Sequence, residues 1–222
     1  MKASSRSTLS TDDPARRRAT MLGAIGLLRI VASAGLLAAA AGSARAADFV
    51  VRPGGDSKVV FVSQATMETF EGKTSRLDGR IALDPAALGD SITVHLEADM
   101  ASLDTGIARR NAHMKAHHLE TDKYPRAVFD GAAVLGPAGA RLEAGKPLSC
   151  EIEGTFTLHG VSRRLKIAAE ATYTPGAPAR IAFRTTFPVA LSDYAISRPQ
   201  FLFLKLAEVQ QVRVSAVAVA AP

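Results

Sequence analysis

The 222-residue chain contains one cysteine, no tryptophan and three tyrosines, and aromatic residues make up 5% of it. A single thiol, Cys150, cannot close an intrachain disulfide, so no framework of bridges holds the chain together. No Gly-rich phosphate loop, nucleophile elbow or Cys/His metal cluster is present. The mature part also lacks an excess of charge of either sign. The formal +6 of the whole chain is concentrated in the first 46 residues, whose 7 basic and 2 acidic residues, taken from 27 and 21, leave 20 and 19. A nucleic-acid partner would need a basic patch on the folded domain, and this balance supplies none.

Long apolar runs are equally scarce, with one exception. Arg16-Arg17-Arg18 precede a run from Met21 to Gly42 interrupted only by Arg29 and Ser33, and Ala44-Arg45-Ala46 follows. A basic start, an apolar centre and a small-x-small end have the form of an export signal. Residues 1–46 are therefore expected to be a cleaved signal peptide, with 47–222 the mature, periplasmic domain. Met21 is an alternative start, and the Arg pair leaves Sec and twin-arginine export both open. Arg29 inside the run makes membrane spanning costly, which argues against a retained membrane anchor; no stable membrane insertion of the mature chain is expected.

What fills the mature part is alternation. Ile92, Val94, Leu96, Ala98 and Met100 fall on one face, and Thr93, His95, Glu97 and Asp99 on the other, the period of a half-buried strand. Similar runs cover Asp48–Arg52, Lys58–Thr66, Ser75–Leu83, Arg126–Leu135, Leu148–Leu158, Arg164–Tyr173, Arg180–Val189 and Val209–Ala220, separated by Asp-Pro, Gly-Pro and His-Gly turn signals. One segment, about Ile107–Thr121, has helical spacing instead. Asp104 or Thr105 is placed to cap it, Tyr124-Pro125 stops it, and Ala108, Ala112, Ala116 and Leu119 form a narrow stripe suited to lying on a sheet. Many short strands and one helix predict an all-β antiparallel barrel of about eight strands, or a sandwich, with the helix over one end. The expected inward set includes Ile92, Val94, Leu96, Cys150, Ile152, Phe156, Phe183 and Phe187; Cys150 reads as a buried small hydrophobe.

The stretch Arg110-Asn111-Ala112-His113-Met114-Lys115-Ala116-His117-His118 holds three of the five histidines. His113 and His117, four apart with Glu120 beyond, have zinc-ligand chemistry. Arg110 on the same face opposes a metal, and the spacing is not H-E-x-x-H. The run also suits an ordinary solvated helix face, with His118 packing at the helix edge beside Ile107 and Met114. A third reading makes the helix a lid whose Arg110, His113 and His117 hold a ligand's polar end at the mouth of an apolar bore. Ser192-Asp193-Tyr194 is either a polar turn or a ligand-positioning segment.

Several motifs keep a common order: Phe70-Glu71-Gly72, Leu77-Asp78-Gly79-Arg80-Ile81, Ser102-Leu103-Asp104-Thr105-Gly106, Arg110-Asn111-Ala112-His113-Met114, Lys123-Tyr124-Pro125 with Phe129, and Gly154-Thr155-Phe156-Thr157-Leu158-His159-Gly160-Val161. In these, residues 48–220 resemble the YceI-like family. The resemblance implies a lipocalin-like barrel, exported to the bacterial periplasm, that binds a polyisoprenoid or other long-chain amphiphile without catalysis. Two departures stand out. The family's Arg-Ser-Asp-aromatic-Gly reads Leu191-Ser192-Asp193-Tyr194-Ala195 here, and Asn111 replaces the Asp of the helical Arg-Asp-x-His-Leu.

The expected function is a non-enzymatic periplasmic carrier that sequesters a long-chain isoprenoid or other lipid, with no cofactor and no metal. Expected ligand contacts are Arg110, His113, His117, Asp193, Tyr194, Phe156, Phe183 and Phe187. The alternatives are a zinc-dependent hydrolase using His113 and His117, and an envelope stress or interaction module whose barrel is filled by its own side chains. Assembly as a monomer or a homodimer stays open.

Overall fold

A computed structural model describes residues 46–64, 68–88, 92–136, 139–201 and 204–222. The expected export segment lies outside the described residues apart from Ala46. The alternating runs are strands: β1 (Ala47–Val51), β2 (Lys58–Gln64), β3 (Thr69–Thr74), β4 (Leu77–Leu83), β5 (Thr93–Asp99), then helix α1 (Ala108–His117). After the helix come β6 (Arg126–Leu135), β7 (Pro147–Leu158), β8 (Val161–Thr174), β9 (Arg180–Ala190), the short pair β10 (Gln200–Phe201) and β11 (Leu204–Lys205), and β12 (Val209–Ala220).

Every pairing between these strands is antiparallel. The sheet runs β1-β4-β5-β6-β7-β8-β9-β12, and β1 pairs back onto β12, so eight strands close into a barrel. Closure is shared. One edge of β12 bonds β1 through Ala218–Ala220 and β2 through Gln211–Ser215, so β1 and β2 act as one wall strand broken by the loop 52–57. β3 and β4 lie beside them in the same way, on β2 and β1.

β3 is not among the alternating runs of the sequence, and its composition explains why. Of TFEGKT only Phe70 is a large apolar residue, so the period-2 signal is weak. Pairing with β2 supplies what the pattern lacks. Gly72 lies under the Phe61 ring, where a Cβ would come within 2.1 Å of it. Phe61 and Phe70 meet edge to face at 6.2 Å. A glycine beneath an aromatic pair lets the edge of the barrel pack closely.

α1 closes the barrel where the wall is incomplete. β5 ends at Asp99, the chain crosses beside β6 (Met100 N–H to Pro125 O, 2.9 Å), and Asp104 and Lys73 exchange main-chain hydrogen bonds at 2.9 Å on the free edge of β3. The helix is shorter than the expected Ile107–Thr121, because Glu120 takes a left-handed conformation (φ 42°) and turns the chain away. Its N-cap is Ile107, with no side-chain cap bond. Asp104 and Thr105 fasten the entry instead: Asn111 Oδ1 accepts from the Thr105 N–H (2.8 Å) and hydroxyl (2.7 Å), and its Nδ2 donates to Asp104 (2.7 Å).

Burial follows the alternation. One cluster includes Phe49, Val51, Leu77, Ile81, Ile92, Val94 and Ile181, and a second Phe156, Leu158, Ile167, Phe187, Val189 and Tyr194. Removing a side chain such as Phe49 or Ile181 from water stabilises the fold by about 1.5–3 kcal/mol each. The outer faces are polar: His95 bonds both Asp130 and Glu97 on the outside of β5 and β6.

Candidate ligand-binding cavity

The inward faces do not meet in the middle. They enclose a cavity of about 1020 Å³ whose wall draws on both buried clusters, from Leu83 and Ile181 to Phe187 and Leu191. All eight residues of the expected inward set, Ile92, Val94, Leu96, Cys150, Ile152, Phe156, Phe183 and Phe187, line it. Small side chains keep it open. Ala98, Cys150, Ala169 and Ala171 stand where larger residues would fill it, and Cys150 has its thiol pKa raised by burial. Phe156 meets Phe187 (5.6 Å) and Tyr194 (5.5 Å) edge to face, so it is held rigidly from behind.

Polar lining is concentrated at the helix. Arg109, Arg110, His113, Met114, His118 and Leu119 border the cavity from α1 and the turn after it. The alanine stripe expected to face the barrel does not: Ala108, Ala112 and Ala116 are exposed. The space between helix and rim is spanned by longer side chains, Arg110, Met114 and His118, four residues apart. His118, expected to pack at the helix edge, borders the cavity together with Ile107 and Met114.

Arg110 and His113 border the cavity, but Arg110 is heavily engaged. It donates to the Thr105 hydroxyl (2.9 Å), the Thr105 carbonyl (2.7 Å) and Glu68 (3.3 Å), and lies 4.0 Å over the Phe70 ring. Arg109 is exposed with no such partner among the described residues. His117, Asp193 and Tyr194 are not among the lining residues. His117 points to the exposed side of the helix beside His113 (4.9 Å between rings). Asp193 is exposed, its carbonyl accepting from Arg163 (3.1 Å). Tyr194 is 2% exposed behind Phe156, and that burial raises its phenol pKa.

The three helix imidazoles group together, His113 lying 5.0 Å from His118. Glu120, the carboxylate expected beside them, bonds His159 instead (2.8 Å). In the sequence His159 marks only a turn. With Gly160 it forms a turn with both φ positive (51° and 74°), as a tight hairpin requires. Its other ring nitrogen bonds the Tyr194 carbonyl (3.0 Å), so one buried imidazole ties the helix exit to the turn 191–194. The only sequence signal for that role was its place in the Gly154–Val161 motif.

An eight-stranded antiparallel barrel with an apolar cavity and a helix at its mouth is the architecture of a lipocalin-like binding protein. Residues 49–219 match the YceI-like domain, and the chain belongs to that family. It is 29% identical over 160 residues to a UPF0312 protein of Vibrio cholerae, covering 69% of this chain and 80% of that one. A UPF0312 protein of Pseudomonas syringae pv. tomato is 30% identical over 167 residues, covering 72% and 81%. Among solved structures, the fold is similar to a polyisoprenoid binding domain from Saccharophagus degradans implicated in plant cell wall breakdown, with TM-score 0.61, 20% identity, and coverage of 80% of this chain and all of that one. It is likewise similar to Burkholderia cenocepacia BcnA, with TM-score 0.59, 22% identity, and coverage of 72% and 95%.

Proposed function

We propose that this protein is a periplasmic carrier that sequesters a long-chain amphiphile, of the isoprenoid or a similar lipid class, by reversible burial and without catalysis. The observation that carries the reading is the cavity, about 1020 Å³ and lined mainly by apolar side chains, with Arg109, Arg110, His113 and His118 of the helix region at its border. That volume is at the top of the roughly 300–1,000 Å³ usual for small-molecule sites. A chain of a dozen buried methylenes contributes about 10 kcal/mol before association costs, more than any polar contact at the mouth. Phe156, Phe183 and Phe187 grip the chain, and Arg110 and His113 meet its polar end. The polyisoprenoid binding of the Saccharophagus domain supports the ligand class. The basic-apolar-small pattern of residues 1–46 supports export, with the mature chain beginning near Ala47.

The test is native mass spectrometry of the protein isolated from the periplasm after expression with its own N-terminal segment. The expected result is a mature mass starting near Ala47 with an organic, chloroform-extractable adduct. A stoichiometric zinc adduct and no lipid would favour the hydrolase reading. A bare protein that also fails to take up added prenyl lipids would overturn the carrier reading.

A further inference from the structure

At the end of the barrel away from α1, the connections after β4, β6 and β8 meet. The β6–β7 connection supplies a strap there, residues 139–146. Gly139 and Gly145, both with positive φ (73° and 70°), turn the chain into and out of it. On one side the strap is bonded to the β4–β5 connection, through Leu142 N–H to Pro85 O (2.7 Å) and Leu88 N–H to Ala140 O (2.9 Å). On the other it meets the end of β8, where Gly145 N–H bonds Tyr173 O (2.8 Å) and Ala144 bridges Tyr173. The strap thus ties together strands that stand apart in the barrel order, with β6 and β7 between β5 and β8.

Alternation within the strap aims one side chain inward. Arg141 is exposed and pairs with Glu143 (3.4 Å), which also takes Lys146 (2.6 Å). Leu142 between them is 6% exposed and borders the cavity. It belongs to one buried cluster with Leu83 and Ile92, against which Leu88 and Leu148 pack, and all four border the cavity as well. The helix end is built differently. Arg109, Arg110, His113 and His118 border the cavity there, and side chains tie α1 to its surroundings, Arg110 to Glu68 and His118 to Ser197. One end is an apolar floor fixed by main-chain hydrogen bonds; the other is a polar rim.

Resting on the carrier reading, we propose that the bore is blind and that Leu142 is its length gauge: the ligand's apolar tail enters from the helix end, stops against Leu142, and the space between floor and rim limits the chain to a maximum length. A chain beyond that limit leaves methylenes in water at the rim, each costing about fourfold in occupancy. Volume bounds the limit. A dry apolar cavity of about 150 Å³ takes one benzene, about 25 Å³ per carbon. At that density about 1020 Å³ holds at most about 40 carbons. The gauge is adjustable from its own residues. Volume removed at Leu88 and Leu142 deepens the bore, and volume added at Leu142 shortens it.

The test loads the purified protein from vesicles holding an equimolar series of prenyl alcohols, from farnesol to undecaprenol, and reads the bound homologues by native mass spectrometry. The expected result is a limiting homologue at or below about 40 carbons, with occupancy falling about tenfold or more at the next. Leu88→Ala with Leu142→Ala frees the volume of about six carbons and is expected to raise the limit by one isoprene unit. Leu142→Trp fills about as much and is expected to lower it by one. A measurement on the unmutated protein keeps the proposal falsifiable should either variant misfold. A prenyl alcohol of the limiting length, carrying a diazirine on its terminal carbon, is expected to crosslink on irradiation to the strap or to Leu88. Crosslinks to α1 instead, uptake without a length limit, or a limit that both variants leave in place overturns the gauge alone. Failure of every homologue to load overturns the carrier reading with it.

Discussion

Truncating Phe156 and Phe183 to alanine separates an open bore from a packed one. Both rings line the cavity, but they are held differently. Phe156 is 8% exposed and has Phe187 and Tyr194 against its edges. Its removal loses about 1.5–3 kcal/mol of apolar burial and two aromatic contacts of about 0.5–1.5 kcal/mol each. Because the void joins an existing cavity, the expected cost is about 3–4 kcal/mol, within the range for such truncations. Phe183 is half-buried, with no ring pair among the described residues. Its removal is expected to cost about 1 kcal/mol and to weaken lipid binding more than it weakens the fold. Urea denaturation at fixed pH, with midpoints compared at an unchanged m-value, measures both. Equal losses of 3 kcal/mol or more for the two variants would show that side chains pack against Phe183 across the bore, and would refute an open cavity.

Three further outcomes are expected. Ala195 sits in the left-handed region (φ 54°, ψ 27°) after the 191–194 turn, a conformation that favours glycine. Ala195→Gly is therefore expected to stabilise the fold by up to about 1 kcal/mol in thermal or urea unfolding; a loss would contradict the assigned strain. The His95 pKa is raised above its ordinary 6.5, first by its hydrogen bond to Asp130. Its charged form is thus favoured by folding, so its contribution is fully present below about pH 6.5 and is lost as pH rises through the folded value. NMR titration of wild type, and a wild-type advantage over His95→Gln that disappears as pH rises through the folded His95 pKa, would check it. Arg110→Ala is expected to cost about 1–3 kcal/mol through its bonds to Thr105 and Glu68, with little recovery in Arg110→Lys, whose single ammonium cannot span that fork. Arg109→Ala should stay within about 0.5 kcal/mol by the same unfolding assay.

Strong alternation made most of the fold legible from sequence. β6 and β12 begin and end where their patterns do, because each strand presents one face to the interior and one to water, and the residue types record that division. The cavity-lining residues of β5, β7 and β9 were legible for the same reason. β3 was not: TFEGKT has a single large apolar residue, and its place comes from the β2 edge it pairs with. Nor was the orientation of α1. Its alanines and its histidines both recur at helical spacing, so sequence alone cannot decide which face turns inward. The tertiary structure decides it: Arg110, Met114 and His118 border the cavity, and Ala108, Ala112 and Ala116 are exposed. Asp193 and Tyr194 show the same limit. A polar turn sequence was visible, but whether its residues meet the bore depends on Phe156 standing between Tyr194 and the cavity. Above all, His118 Nδ1 lies 2.9 Å from the Ser197 carbonyl, 79 residues away. No local pattern specifies which nitrogen of an imidazole keeps its proton; the carbonyl that the fold places against it does.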